Sequence, residues 1–242
     1  MKFYEFEKIM SSKRMRRYVN ACGGDTRKAM QLYRLNLHLA EEMFTIVSCY
    51  EVALRNSINN IMIESHGNDW LRDAILPGGI FDNPKFRNTA RMMKKAHAEL
   101  VSNGKYSNSK MLSAMEFGVW KYMYSSPQYL ATGRQLLKVF PQKPKSSPTI
   151  QYNNHYIFNE LDAVNRLRNR IAHHEPVCFL HDSDEISTKH LIQVYDKVMT
   201  LFNWMDIDGP SLLYGMDHVK TACKQIEILN SRESYSQSGS GV

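Results

Sequence analysis

From Asp25 to about Ser65 the chain keeps a helical rhythm of apolar residues, with Leu32, Leu35, Leu39, Met43, Ile46, Val47, Ala53, Leu54, Ile58 and Ile61 recurring at helical spacing. Asp25 suits an N-cap and Gly67 a stop. Such a rod far exceeds the ordinary helix of about 11–12 residues. Its apolar residues occupy more than one side, so it must be a central element with other helices packed around it. Strand signals are scarce in the rest of the chain. The expected fold class is therefore all-α.

The other elements are read in the same way. Residues 5 to 22 form one or two short helices ended by Gly23 and Gly24. Asn83 and Pro84 make a cap-plus-N1 start for a helix to about Asn103, with Gly104 just beyond. The stretch SKMLSAMEFGVWKYMYSS is apolar on nearly every side and reads as a buried helix with Phe117 and Trp120 in the core. The run QKPKSSP at 142–148 reads as a flexible connector whose lysines could line a site mouth. Helices follow over 154–174, 189–205 and 218–230. The expectation is one helical domain over 1–235, with N-terminal helices in 1–66, middle helices in 83–140, a motif helix at 154–174 and C-terminal helices in 187–230. The tail, 231–242, is low in apolar content and expected to be disordered.

With 242 residues, 43% of them hydrophobic, the chain can bury a substantial core. A net charge of +7 favours an anionic partner such as nucleic acid. Lys13, Arg14, Arg16 and Arg17 form one basic cluster, and Arg87, Arg91, Lys94 and Lys95 form a basic stripe; both read more readily as solvated faces than as phosphate-binding surfaces. Cys22, Cys49, Cys178 and Cys223 show no CxxC pair, which fits free thiols in a reducing compartment. The opening MKFYEFEKIM carries two acids and does not read as a signal peptide, and no run approaches the roughly 18 apolar residues of a membrane span. A cytoplasmic protein without membrane contact is expected.

The chemistry concentrates in RLRNRIAHHEP, residues 166–176. Asn169 and His173 stand four residues apart, about 40° round and 6 Å along a helix, and so share a face. Arg168 starts about 140° round from His173, but its long stem can wrap back. A guanidinium, a carboxamide and an imidazole that meet at one point suit work on a phosphate. His174 is about 100° round from His173 and reads as a helix-end or supporting residue, and Arg170 as part of a basic wall. The competing reading is that basic side chains here merely complement the helix dipole before Pro176. Against it, the apolar positions Ile157, Leu161, Val164, Leu167 and Ile171 leave the polar set on a stripe of its own, and Asn is a poor helix former there. On the long helix, Glu51 and Arg55 form an i, i+4 pair, followed by Asn56. These are structural, or else a supporting layer that fixes Arg168. A zinc site from His173, His174, Cys178 and His181 is a rival, although the spacing matches no standard ligand set.

RLRNRIAHHEP resembles the signature of the Abi-like family of bacterial phage abortive-infection proteins, a branch of the HEPN superfamily whose Arg-x4-6-His motif lies late in a helix. The stretches RRYVNACGGD, EVALRN and MEFGVWKYM resemble that family in the same order, over roughly residues 12–205. The resemblance implies a HEPN-type helical bundle with extra helices, commonly a homodimer, that cuts RNA without metal or cofactor in phage defence or toxin–antitoxin systems. It implies catalytic roles for Arg168, Asn169 and His173, and restraint by an RNA or an antitoxin partner. The alternative is a non-catalytic RNA-binding regulatory module. A DNA-binding regulator ranks last, for want of a recognition helix.

Overall fold

The computed structural model describes residues 1–231, so the expected tail lies almost wholly outside the described residues. Those residues fold into twelve α-helices and two 3-10 turns, and their one β-bridge is the isolated antiparallel pair Phe179 and Ile186. The class is all-α.

The N-terminal helices are α1 (Phe3–Met10) and α2 (Ser12–Ala21), and the long rod is α3 (Thr26–His66). Asp25 caps α3 as expected, its Oδ1 accepting the N–H groups of Arg27 at 2.9 Å and Lys28 at 3.0 Å. Gly67 ends it with φ of 81°, a conformation open to glycine at little cost. The middle elements are α4 (Trp70–Asp73), α5 (Arg87–Ser102), α6 (Asn108–Ala114), α7 (Phe117–Tyr122) and α8 (Ser126–Ala131). The motif helix is α9 (Asn154–Ala172), followed by α10 (Lys189–Trp204), α11 (Gly209–Leu212) and α12 (Val219–Ser231).

Two local expectations need correction. The apolar stretch at 109–126 is not one helix: Met115 and Glu116 are extended, with ψ of 130° and 158°, and split it into α6 and α7. Phe117 and Trp120 are nonetheless core, 1% and 0% exposed. The connector at 142–148 is irregular but tied down. Gln142 donates its N–H to the Trp204 carbonyl at 3.0 Å, and Ser146 and Ser147 accept the N–H groups of Tyr152 and Ile150 at 3.0 and 3.1 Å.

The chain divides into two compact units, with α3, α9 and α10 each running from one into the other. The first takes in 1–47, 167–198 and the chain from 210. Its aromatic centre is Tyr18, set edge-on to Tyr33 and to Phe179 with centroids 5.1 Å apart in both cases. Met15, Leu32, Leu39, Leu167 and Ile226 are buried there with them.

The second unit takes in 48–166 and 199–209. Tyr50 is its hub, edge-on to Phe202 at 5.2 Å, and Trp70 donates its indole N–H to the buried Asn59 Oδ1 at 2.9 Å. The amide of Gln128 donates to Thr89 Oγ1 at 3.0 Å, a buried polar pair. Lys121, 6% exposed, is neutralised by Asp162 at 2.9 Å, and Arg166 reaches the other oxygen of that carboxylate at 2.9 Å.

Candidate functional site at the end of α9

Apolar residues at Leu167 and Ile171 bury one side of the last turns of α9 in the first unit and leave the polar set on the other side. Arg168 is half-buried, and its Nε lies below the surface; Asn169 and His173 are exposed. The backbone N–H of His173 donates to the Asn169 carbonyl at 2.9 Å, so the two residues stack one turn apart, as the four-residue spacing requires.

The chain leaves the helix through a Schellman turn. His174 N–H donates to the Ile171 carbonyl at 2.9 Å, and Glu175 N–H to the Arg170 carbonyl at 2.9 Å, the paired bonds of that motif. His174 holds the left-handed position with φ of 56°, where glycine is the usual residue. The two adjacent histidines therefore have different backbone roles. His173 closes the helix with its ring in solvent, and His174 turns the chain.

Three elements fasten the segment beyond the turn. Arg170 donates through its Nη2 to the Pro176 carbonyl at 2.6 Å and sits 3.6 Å from the Glu175 carboxylate, which makes it a brace for the turn. Arg14 of α2 donates to the His174 carbonyl at 2.8 Å. Asn36 of α3, 3% exposed, accepts the N–H groups of Val177 at 2.8 Å and Cys178 at 3.2 Å. Farther along the chain, Arg17 binds the carbonyls of Leu180 and Ser183, lies 3.5 Å from Asp184 and stacks 4.5 Å over the Phe179 ring. Arg14 and Arg17 are thus not simply a solvated face; they hold the segment that carries the motif's exit.

Asn36 is absent from the site residues expected from the sequence. The signal was available: it stands four residues after Leu32 and three before Leu39, both fully buried, so a carboxamide occupies a core position of α3.

Glu51, Arg55 and Asn56 lie on the later part of α3, in the second unit, whereas the motif lies in the first. Glu51 and Arg55 are half-buried and Asn56 is exposed; Arg55 Nε is enclosed with no hydrogen-bond partner.

The rival zinc set does not assemble. His173 and His174 are exposed, His181 lies 2.7 Å from Asp182 in solvent, and Cys178 is buried with its thiol pushed up to about 12 by desolvation. Among the described residues no group of three or more His, Cys, Asp or Glu side chains is placed to hold a metal ion. Nor is any helix among them long and apolar enough to cross a membrane.

Neither a curated protein nor a solved structure matches the chain. The family model described as Abi-like protein matches residues 2–178, which takes in RRYVNACGGD, EVALRN, MEFGVWKYM and RLRNRIAHHEP and leaves the chain from 179 outside the match. That family supports a role in phage abortive infection. A match over most of the chain, including the whole of α9 and its exit turn, makes this protein a member of the Abi-like family.

Proposed function

We propose that this protein is a metal-independent endoribonuclease of the HEPN type, acting in phage defence or as a toxin, with Arg168, Asn169 and His173 at its catalytic centre. The observation that carries the reading is the end of α9. Asn169 and His173 are presented to solvent one turn apart, Arg168 precedes them half-buried on the same helix, and the backbone under them is fixed by the Schellman turn and the Asn36 bonds. Prior fixation matters because catalytic groups that are already placed need no reorganisation at the moment of reaction.

The reaction is attack by a ribose 2′-hydroxyl on its adjacent phosphorus. The new bond is P–O2′, the broken bond is P–O5′, and the products end in a 2′,3′-cyclic phosphate and a 5′-hydroxyl. The nucleophile is part of the substrate, so the chemistry asks for no activated water and no metal. His173 moves the proton, Arg168 stabilises charge growing on the phosphoryl oxygens, and Asn169 orients the ring or the phosphate. In-line displacement is best served by a base on one side and an acid on the other, and a second copy of the chain supplies the second His173. A homodimer is therefore part of the proposal. A chain active as a monomer at working concentration would remove it.

RNA is the substrate class because the 2′-hydroxyl is required, and DNA lacks it. A nuclease that harms its host also needs restraint, which points to an inhibitory RNA or an antitoxin protein as the further partner.

A second reading, the non-catalytic RNA-binding module, is favoured by the exposed cations of α5. Incubation of labelled RNA in chelator with the parent chain and with His173→Ala separates the two. Fragments from the parent alone support cleavage. Binding by both chains without fragments supports the module and overturns the nuclease.

A further inference from the structure

The second unit carries a surface that plays no part in the α9 motif. Its framework is α5, which opens behind the 3-10 turn Pro84–Phe86 and buries Thr89, Ala90 and Met93. The opposite face presents Arg87, Arg91, Lys94 and Lys95, all exposed. None of the four has an acid within ion-pair distance among the described residues, although Asp82, Glu99 and Glu116 line the cavities beside them.

Two cavities open beside this stripe. One, of about 680 Å³, has an apolar wall of Phe81, Pro84 and Ala90. Its acid, Asp82, is engaged by the Gly78 N–H at 3.0 Å. The other, of about 510 Å³, has a wall of Met92, Ala96, Leu100, Met115 and Val119, with Glu99 and Glu116 at its lining. Arg91 and Lys95 line both cavities. They stand at i, i+4, with Cβ atoms about 5–6 Å apart, close enough for both to reach one phosphate.

We propose that this face of α5 binds single-stranded RNA, with a base in each cavity and the phosphate that joins them held by Arg91 and Lys95. Apolar slots of this size accept planar groups, and small-molecule sites span about 300–1,000 Å³. Proteins that hold a single strand combine a positively charged track for the backbone with adjoining surfaces that take the bases, and each cavity here is roomy enough for one base. Arg87 and Lys94 extend the phosphate track along the helix. Glu99 and Glu116 repel a phosphate but accept hydrogen bonds from the donor edge of a base, which sets the orientation in the second cavity. A duplex fits poorly, because its bases are stacked and cannot enter. The surface lies wholly in the second unit and needs no cleavage to bind, so it stands apart from the nuclease reading.

The test uses the full chain carrying His173→Ala and a fluorescent single-stranded RNA of about 12 nucleotides, with anisotropy read across a salt series. Arg91→Ala with Lys95→Ala should weaken binding about tenfold and reduce the salt slope by about 1.4, the loss of two phosphate contacts on a single strand. Arg91→Gln with Lys95→Gln repeats the measurement should the alanine pair fold poorly. Ala96→Leu narrows the smaller cavity without a change of charge; it should weaken binding and leave the salt slope intact. Lys105→Ala with Lys110→Ala, exposed cations that line neither cavity, should leave binding within about twofold. Unchanged affinity in both Arg91/Lys95 pairs overturns the proposal, as it would if the surface took an acidic protein instead. A duplex that competes as well as the single strand overturns the placement of bases in the cavities.

Discussion

Asn36 Oδ1 accepts the backbone N–H of Val177 at 2.8 Å, a bond across 141 positions of sequence between the long helix and the segment just past the motif. The same oxygen takes Cys178 N–H at 3.2 Å. Asn36→Leu leaves two buried donors without an acceptor and should cost about 2–3 kcal/mol of stability in denaturant titration. Amide exchange at Val177 and Cys178 should accelerate most. A loss under about 0.5 kcal/mol would mean that the exit segment is held by other contacts.

His174 turns the chain at φ of 56°, where a side chain strains the backbone. His174→Gly should hold or raise stability by about 1 kcal/mol, and RNA cleavage should persist within about threefold. His173→Ala should abolish cleavage with little change in stability, because its ring is exposed. The reverse pattern of activities would transfer the proton-carrying role to His174.

Asp162→Ala should strand Lys121 in a site only 6% exposed. The expected loss is about 2–3 kcal/mol, set below the range for fully buried pairs because the Asp162 side chain is 24% exposed and Arg166 shares it. Lys121→Met should cost less, since the apolar chain keeps its place beside Tyr122 and Phe158 and no charge is left buried. Equal losses in the two variants would mean that the cation itself, and not its neutralisation, stabilises the second unit.

Much of the helix map is legible because its signals are local. Asp25 and Gly67 bound α3, Asn83 accepts the Lys85 N–H at 3.1 Å, and Gly104 follows α5 with φ of 61°. The break between α6 and α7 is not legible, for Met115 and Glu116 are no helix breakers and yet are extended. The motif's residue types and spacing stand in the sequence. Its fastening does not, because Asn36, Arg14 and Arg17 find partners more than a hundred positions away, and nothing in a basic cluster such as KRMRR distinguishes a bound guanidinium from a solvated one.

Burial pushes Cys178 up from 9.0 to about 12 and Cys223 up from 9.0 to about 11. Both folded values lie above the unfolded one. Their contribution to stability is therefore complete below about pH 9 and is lost as pH rises through 9 toward 11 and 12. Stability should fall along this alkaline limb, and Cys178→Ala should flatten it. Thiol alkylation of the native chain at pH 8 should find Cys49, which is half-buried, well ahead of Cys178. Rapid labelling of Cys178 would show that the segment past the motif opens readily.

The most direct measurement is the chemistry of the cut ends. Mass spectrometry of RNA digested by the parent chain in chelator should show 2′,3′-cyclic phosphate and 5′-hydroxyl termini, and His173→Ala should produce neither. Termini bearing 3′-hydroxyl and 5′-phosphate, or the same cyclic ends from His173→Ala, would contradict a reaction run by Arg168, Asn169 and His173.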